Sequence, residues 1–154
     1  MPPSATPDGT AVEAQSAPFM AGLFETDAAG NIALLAGKCS RCAAYSFPRR
    51  DICATCGPGP EVEPANVSGT GRVYSSTVVR VPSPVGLKPP YAYGYVDMDG
   101  VALRVFALFA RANGEGLAPG TSVRLIQEEL YADPKGLSLT AHKFQPAGNG
   151  ERAQ

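Results

Sequence analysis

Four cysteines stand as two tight pairs, Cys39-Ser-Arg-Cys42 and Cys53-Ala-Thr-Cys56, and they are the only cysteines in 154 residues. A Cys-x-x-Cys turn aims two sulfurs at one point. Two such turns on facing loops make the closed tetrahedral thiolate cage that structural zinc prefers. A thioredoxin-like redox centre needs only one pair and a βαβ setting, which the flanking residues lack. Disulfides need an exported chain, and Met1-Pro2-Pro3-Ser4-Ala5-Thr6 has neither a basic leader nor an apolar core. The spacing therefore predicts a zinc ribbon with Cys39, Cys42, Cys53 and Cys56 as ligands of one structural zinc. Iron is the alternative occupant. Four thiolates fill the shell and leave no position for water, so the metal acts as a staple rather than a catalyst. The single histidine, His142, falls far down the chain and reads as a surface or edge-strand side chain, not a ligand.

The rest of the chain must supply the core. Its length leaves room for one ordinary domain and a small appendage. A net charge of −1, with Lys and Arg scattered, argues against the basic face of a nucleic-acid binder. No apolar run approaches the ~20 residues of a membrane span. Reduced thiolate ligands without a leader point to the cytoplasm. Seventeen glycines and fifteen prolines, with no tryptophan, predict short strands and many turns.

Residues 1–16 and 147–154 read as disordered tails, 17–60 as a helix and ribbon, and 61–146 as a barrel. In the stretch 17–25, Pro18 suits a helix N-terminus, and Phe19 with Leu23 makes an i, i+4 apolar pair. A short amphipathic helix is expected there. Tyr45 and Phe47 alternate like a strand, with Pro48-Arg49-Arg50-Asp51 as the turn between the cysteine pairs. Beyond Pro60 the pattern turns to β, beginning with the long run Gly71 to Val81. The loop Pro82 to Pro90 carries four prolines that bar it from a ladder. Tyr91 to Met98 and Val101 to Phe109 read as a hairpin across Asp99-Gly100. Ser122 to Leu130 and Leu137 to Phe144 add two strands. Five strands in this order suit a small closed Greek-key barrel of the OB type, so the fold is expected to be mainly β with a short N-terminal helix.

The ordered combination of Cys-x-x-Cys, Phe47-Pro48-Arg49-Arg50, a second Cys-x-x-Cys-Gly, Gly71-Arg72-Val73-Tyr74 and Pro89-Pro90-Tyr91 resembles the DUF35 family. Those proteins join a rubredoxin-like zinc ribbon to an OB-fold, and the likeness runs from about residue 18 to 131. One departure is Ala43, where the family often has Gly after the first cysteine pair. The local turn must then accept a Cβ. The resemblance implies a non-catalytic partner of a thiolase-like, aldolase or hydratase subunit that helps bind acyl-CoA. A dimeric thiolase-like partner would give an α2β2 heterotetramer.

The residues themselves offer little catalytic chemistry. Every cysteine is committed to metal, no Ser-His-Asp set can form around one histidine, and Asp97 and Asp99 flank a turn. No catalytic residue is assigned. CoA phosphates want Arg, Lys or free amides, and Arg49, Arg50 and Lys88 are the candidate CoA contacts. Tyr91 and Tyr93 could stack on adenine or pack against the barrel. The other readings are a nucleic-acid-binding OB and zinc-ribbon module, or a scaffold without a ligand.

Overall fold

The β-branched runs between Thr70 and Pro146 form the five strands expected of them, and those strands close into a ring. In a computed structural model that describes residues 16–110 and 115–148, regular structure is entirely strand. The elements are β1 (Ser16–Pro18), β2 (Phe24–Thr26), β3 (Ile32–Cys39), β4 (Tyr45–Ser46) and β5 (Val62–Val67), then β6 (Thr70–Val79), β7 (Tyr91–Met98), β8 (Arg104–Phe109), β9 (Ser122–Ala132) and β10 (Ser138–Pro146). β6 pairs antiparallel with both β7 and β9, and β7 pairs antiparallel with β8. β10 closes the ring, antiparallel to β9 and parallel to β8 at Lys143 and Phe144. That order, β6-β7-β8-β10-β9 and back to β6, is the five-stranded OB barrel.

Alternation sorts the faces of each strand. On β7, Ala92, Gly94, Val96 and Met98 point inward, while Tyr91, Tyr93 and Tyr95 point out. On β8, Val105, Ala107 and Phe109 are the inward set. Phe144, Val96, Val105 and Val123 lie fully buried at the centre. The first barrel strand is bulged, its register slipping between Val73 and Ser75. The bulge lays the Ser75 carbonyl across Gly94, where an added Cβ would sit 1.9 Å from the oxygen. Only glycine fits there.

The ribbon is a second sheet centred on β3. β2 and β4 pair with one edge of β3, and β5 pairs with the other from Leu34 to Cys39. Ile32, Leu34, Ala36 and Val67 join the same buried cluster as the barrel interior, which roots this sheet on the barrel. Its far end buries only Cys39, Cys53 and Val62.

Two expectations are corrected. The stretch 17–25 is not a helix. β1 adds in parallel to β10, with Ser16 opposite Ser138, and the Phe19 amide continues the pairing to the Thr140 carbonyl at 2.8 Å. Gly22 then turns the chain at φ 78° into β2. A nine-residue helix is marginal alone, and the strand edge satisfies the same backbone groups better. Phe19 packs on Tyr131, with ring centroids 6.0 Å apart. The hairpin is also longer than a two-residue turn. β8 begins only at Arg104, because the Asp99 amide reaches across to the Thr70 carbonyl and Met98 pairs with Leu103. Among the described residues no helix is long and apolar enough to cross a membrane.

Candidate metal centre and apolar groove

β3 ends on Cys39, and this fixes the first knuckle. The Ala43 amide donates to the Cys39 carbonyl at 2.9 Å, and the Gly57 amide makes the same bond to Cys53 at 2.9 Å. The residue leaving each turn is left-handed, with φ 57° at Ala43 and 71° at Gly57. The two knuckles are thus one turn built twice, and they point their sulfurs together. All four Sγ atoms lie within 4.8 Å of one another, and Cys42 and Cys53 are 3.6 Å apart. A disulfide needs about 2.05 Å, and the four cysteines are unpaired. Tetrahedral thiolates at about 2.3 Å from a shared ion need sulfur separations just under 4 Å, which this cluster approaches.

The protonation energetics favour a cation. The amide of Cys56, which donates to the Cys53 sulfur at 3.4 Å, and that of Thr55 pull the Cys53 thiol down to about 6. A hydrogen bond to Cys42, followed by burial, pushes Cys56 up to about 12. Four sulfurs this close cannot all ionise alone. A divalent ion among them reverses that cost and keeps all four deprotonated. The donor set fits zinc or iron.

The three basic candidates are not gathered into one site. Arg49 donates to the Val62 carbonyl at 3.3 Å, and its stem lies against Gly37, so it ties the ribbon turn to β5. Arg50 is exposed in the same turn. Lys88 is exposed in the proline loop and borders a mixed groove of about 590 Å³ together with Lys143 and Glu129. Neither groove that this loop borders is lined by Arg49 or Arg50. Tyr91 and Tyr93 face outward, half-buried, and line an adjacent apolar cavity of about 300 Å³. Asp97 is held by Arg104 at 2.6 and 3.0 Å, which lowers its pKa through that hydrogen bonding, and Asp99 accepts from Thr70 Oγ1 at 2.7 Å.

At His142, β10 pairs with β9 on one side, and on the other it lies in the gap between the β1 pairing, which ends at Thr140, and the β8 pairing, which begins at Lys143; the imidazole there meets aromatic rings of the ribbon. The Phe24 ring lies 6.1 Å and the Phe47 ring 5.3 Å from it, both edge-on. Its Nδ1 is buried without a partner, and Nε2 lies 3.5 Å from the Phe106 carbonyl oxygen. Burial therefore lowers its pKa.

Residues 26–63 match the family described as the rubredoxin-like zinc ribbon domain of ChsH2, and residues 65–126 match the ChsH2 C-terminal OB-fold domain. The chain is 30% identical over 128 residues to the benzoylsuccinyl-CoA thiolase subunit BbsA of Thauera aromatica, a match covering 82% of this chain and 86% of that one. It is 28% identical over 118 residues to a DUF35 domain-containing scaffold protein of Methanocaldococcus jannaschii, with 75% and 83% covered. Among solved structures, the Ltp2-ChsH2(DUF35) aldolase superposes with a TM-score of 0.59 at 25% identity, over 74% of this chain and 84% of that one.

Proposed function

The chain belongs to the DUF35 family of zinc ribbons joined to an OB-fold, and on that premise we propose that it is a non-catalytic accessory subunit of a CoA-dependent thiolase- or aldolase-type complex. One observation carries this reading: ribbon and barrel align as a single unit, in the same order, with a protein that is a thiolase subunit. The geometry supports it. The sulfurs converge on one metal position, both turn acids are engaged, and the lone histidine is packed between aromatic rings.

In this reading Cys39, Cys42, Cys53 and Cys56 hold one zinc that supplies folding energy and no chemistry. Reduced thiolates suit a reducing compartment, the cytoplasm. Arg49, Arg50 and Lys88 are the residues offered to an acyl-CoA. The thiolase-like partner supplies the reacting groups, in an α2β2 assembly. The test is co-expression with a thiolase-like protein from the same genome. Co-purification in a 1:1 ratio, with acyl-CoA cleavage by the pair and none by this chain alone, is expected. Turnover by this chain alone would overturn the reading.

A further inference from the structure

We propose that the outer face of β6, β7 and β8 binds single-stranded nucleic acid, with its aromatic rings stacking on bases and Arg72 meeting a phosphate. Alternation puts an arginine and an aromatic two residues apart on the same side of two strands. On β6, Gly71 and Val73 are buried while Arg72 and Tyr74 are exposed. On β8, Val105 and Ala107 are buried while Arg104 and Phe106 are exposed. β7 runs between them and adds Tyr95 and Asp97 to the same face. Register turns these residues into two rows across the three strands. Arg72 stands opposite Asp97 and Asp97 opposite Arg104, while Tyr95 stands opposite Phe106 and Tyr74 is the extra residue of the bulge beside it. In an OB barrel the second and third strands carry the face that takes oligonucleotides and oligosaccharides, and here those strands are β7 and β8.

Three large rings stand half in water there: Tyr74 is 54%, Phe106 50% and Tyr95 45% exposed. Neither Tyr74 nor Tyr95 lines either groove beside the proline loop, so those grooves do not account for them. The rings are nevertheless held in place. Tyr95 and Phe106 meet edge-on with centroids 5.5 Å apart. Arg104 lays its guanidinium over the Tyr74 ring, 3.3 Å from the centroid, while Asp97 grips it at 2.6 and 3.0 Å. Fixed rings lower the ordering cost of binding, and every base offers a π-face to stack on them. Charge selects a polyanion over a neutral sugar. The chain's net charge of −1 does not describe this face. Asp97 is the only acid in the three strands, and Arg104 neutralises it. Arg72 makes no ion pair among the described residues, reaches only the Gly120 carbonyl at 3.4 Å, and leaves the face a net cation. Three rings and one such cation make stacking the larger part of the affinity.

The experiment is fluorescence anisotropy of a labelled oligothymidylate of about 15 nucleotides, near the upper site size of one OB fold, titrated with the metal-loaded full chain at several salt concentrations. Saturable binding at low salt is expected. Tyr95→Leu and Phe106→Leu keep the apolar bulk but remove the stacking faces, and each should weaken binding about tenfold with an unchanged melting temperature. Arg72→Gln, at an exposed position, should lower the slope of log affinity against log salt by about 0.7, the share of one phosphate contact on a single strand. That variant carries the test if a leucine variant folds poorly. No binding at low salt would overturn the proposal, and so would binding that salt does not weaken, which would point to a neutral ligand. Displacement of the oligonucleotide by CoA at equal concentration would assign the rings to a single nucleotide and overturn it too. Unaltered binding in both leucine variants would do the same, even if they no longer co-purified with a thiolase-like subunit, since the face would then be a protein interface. Oligonucleotide binding needs no such partner and co-purification needs no oligonucleotide, so this site and the subunit reading can fail separately.

Discussion

The barrel encloses Phe144, Val96, Val105 and Val123 with essentially no exposure, whereas the knuckle end of the ribbon buries only Cys39, Cys53 and Val62. One region is held by hydrocarbon packing around a closed ring of strands. The other has too few apolar side chains to hold four convergent sulfurs against their mutual repulsion. Between them, β3 belongs to both: its Leu34 is fully buried in the barrel cluster, and its last residue, Cys39, is one of the four cysteines whose sulfurs could hold a metal ion. The same strand is therefore anchored by packing at one end, whereas its other end carries the convergent sulfurs of a possible metal site. A small β protein can thus extend past its own core where an ion replaces the missing packing.

The sharpest way to break that comparison is to remove the ion. Cys53→Ser, or exhaustive chelation, should abolish the knuckles, since structural zinc contributes on the order of 10 kcal/mol of folding free energy to such sites. The barrel should survive. Hydrogen exchange would show amides from 39 to 57 losing protection while β7 and β8 keep theirs. Cooperative loss of both regions would mean that the barrel also leans on the metal. The converse experiment attacks the barrel alone. Gly94→Ala forces a Cβ into the Ser75 carbonyl and should cost about 3 kcal/mol or more, as severe overpacking does. Zinc stoichiometry should be unchanged in that variant, and equilibrium unfolding would measure the loss.

The two regions were also unequally legible. The cysteine spacing announced the metal centre because few arrangements other than a ribbon bring two Cys-x-x-Cys turns together. The five barrel strands were visible because β-branched runs alternate between clear turn signals. β5 was not, since Val62-Glu-Pro-Ala-Asn-Val holds a proline and little alternation. It is a strand only because it lies against β3, with Pro64 opposite Gly37. The 17–25 stretch misled for a related reason. Its apolar residues fit helical spacing, but they serve the cavity and the barrel edge, which are tertiary facts. His142 could be placed only once the two sheets were seen to meet.

That seam gives a further, smaller test. Burial between Phe24 and Phe47 disfavours the charged imidazole, so the folded-state pKa of His142 lies below the ordinary value near 6.5. As pH falls below about 6.5 the unfolded chain takes up a proton before the native one does, and stability declines until the depressed native pKa is passed. Above about pH 7 the histidine should have no effect. Thermal melts of the metal-loaded protein between pH 5 and pH 8 would show this slope, and His142→Leu should flatten it. An unchanged slope in the variant would assign the acid sensitivity to the thiolates instead.

The smallest expected effect compares the knuckles with each other. They form the same hydrogen-bonded turn, yet one leaves it through Ala43 and the other through Gly57, both left-handed. A Cβ at Gly57 would meet nothing within 4 Å, so Gly57→Ala isolates the backbone strain of an alanine at positive φ. That should cost about 1 kcal/mol. Ala43→Gly relieves the corresponding strain but also frees the unfolded chain, which offsets most of the gain. The net change should be stabilising by only a few tenths of a kcal/mol. Competition with a metal chelator reads both, because the rate of metal loss reports the knuckles and not the barrel. If Gly57→Ala and Ala43→Gly leave that rate equal to wild type, the sulfurs and their ion alone set knuckle stability and the turn conformation is incidental to it.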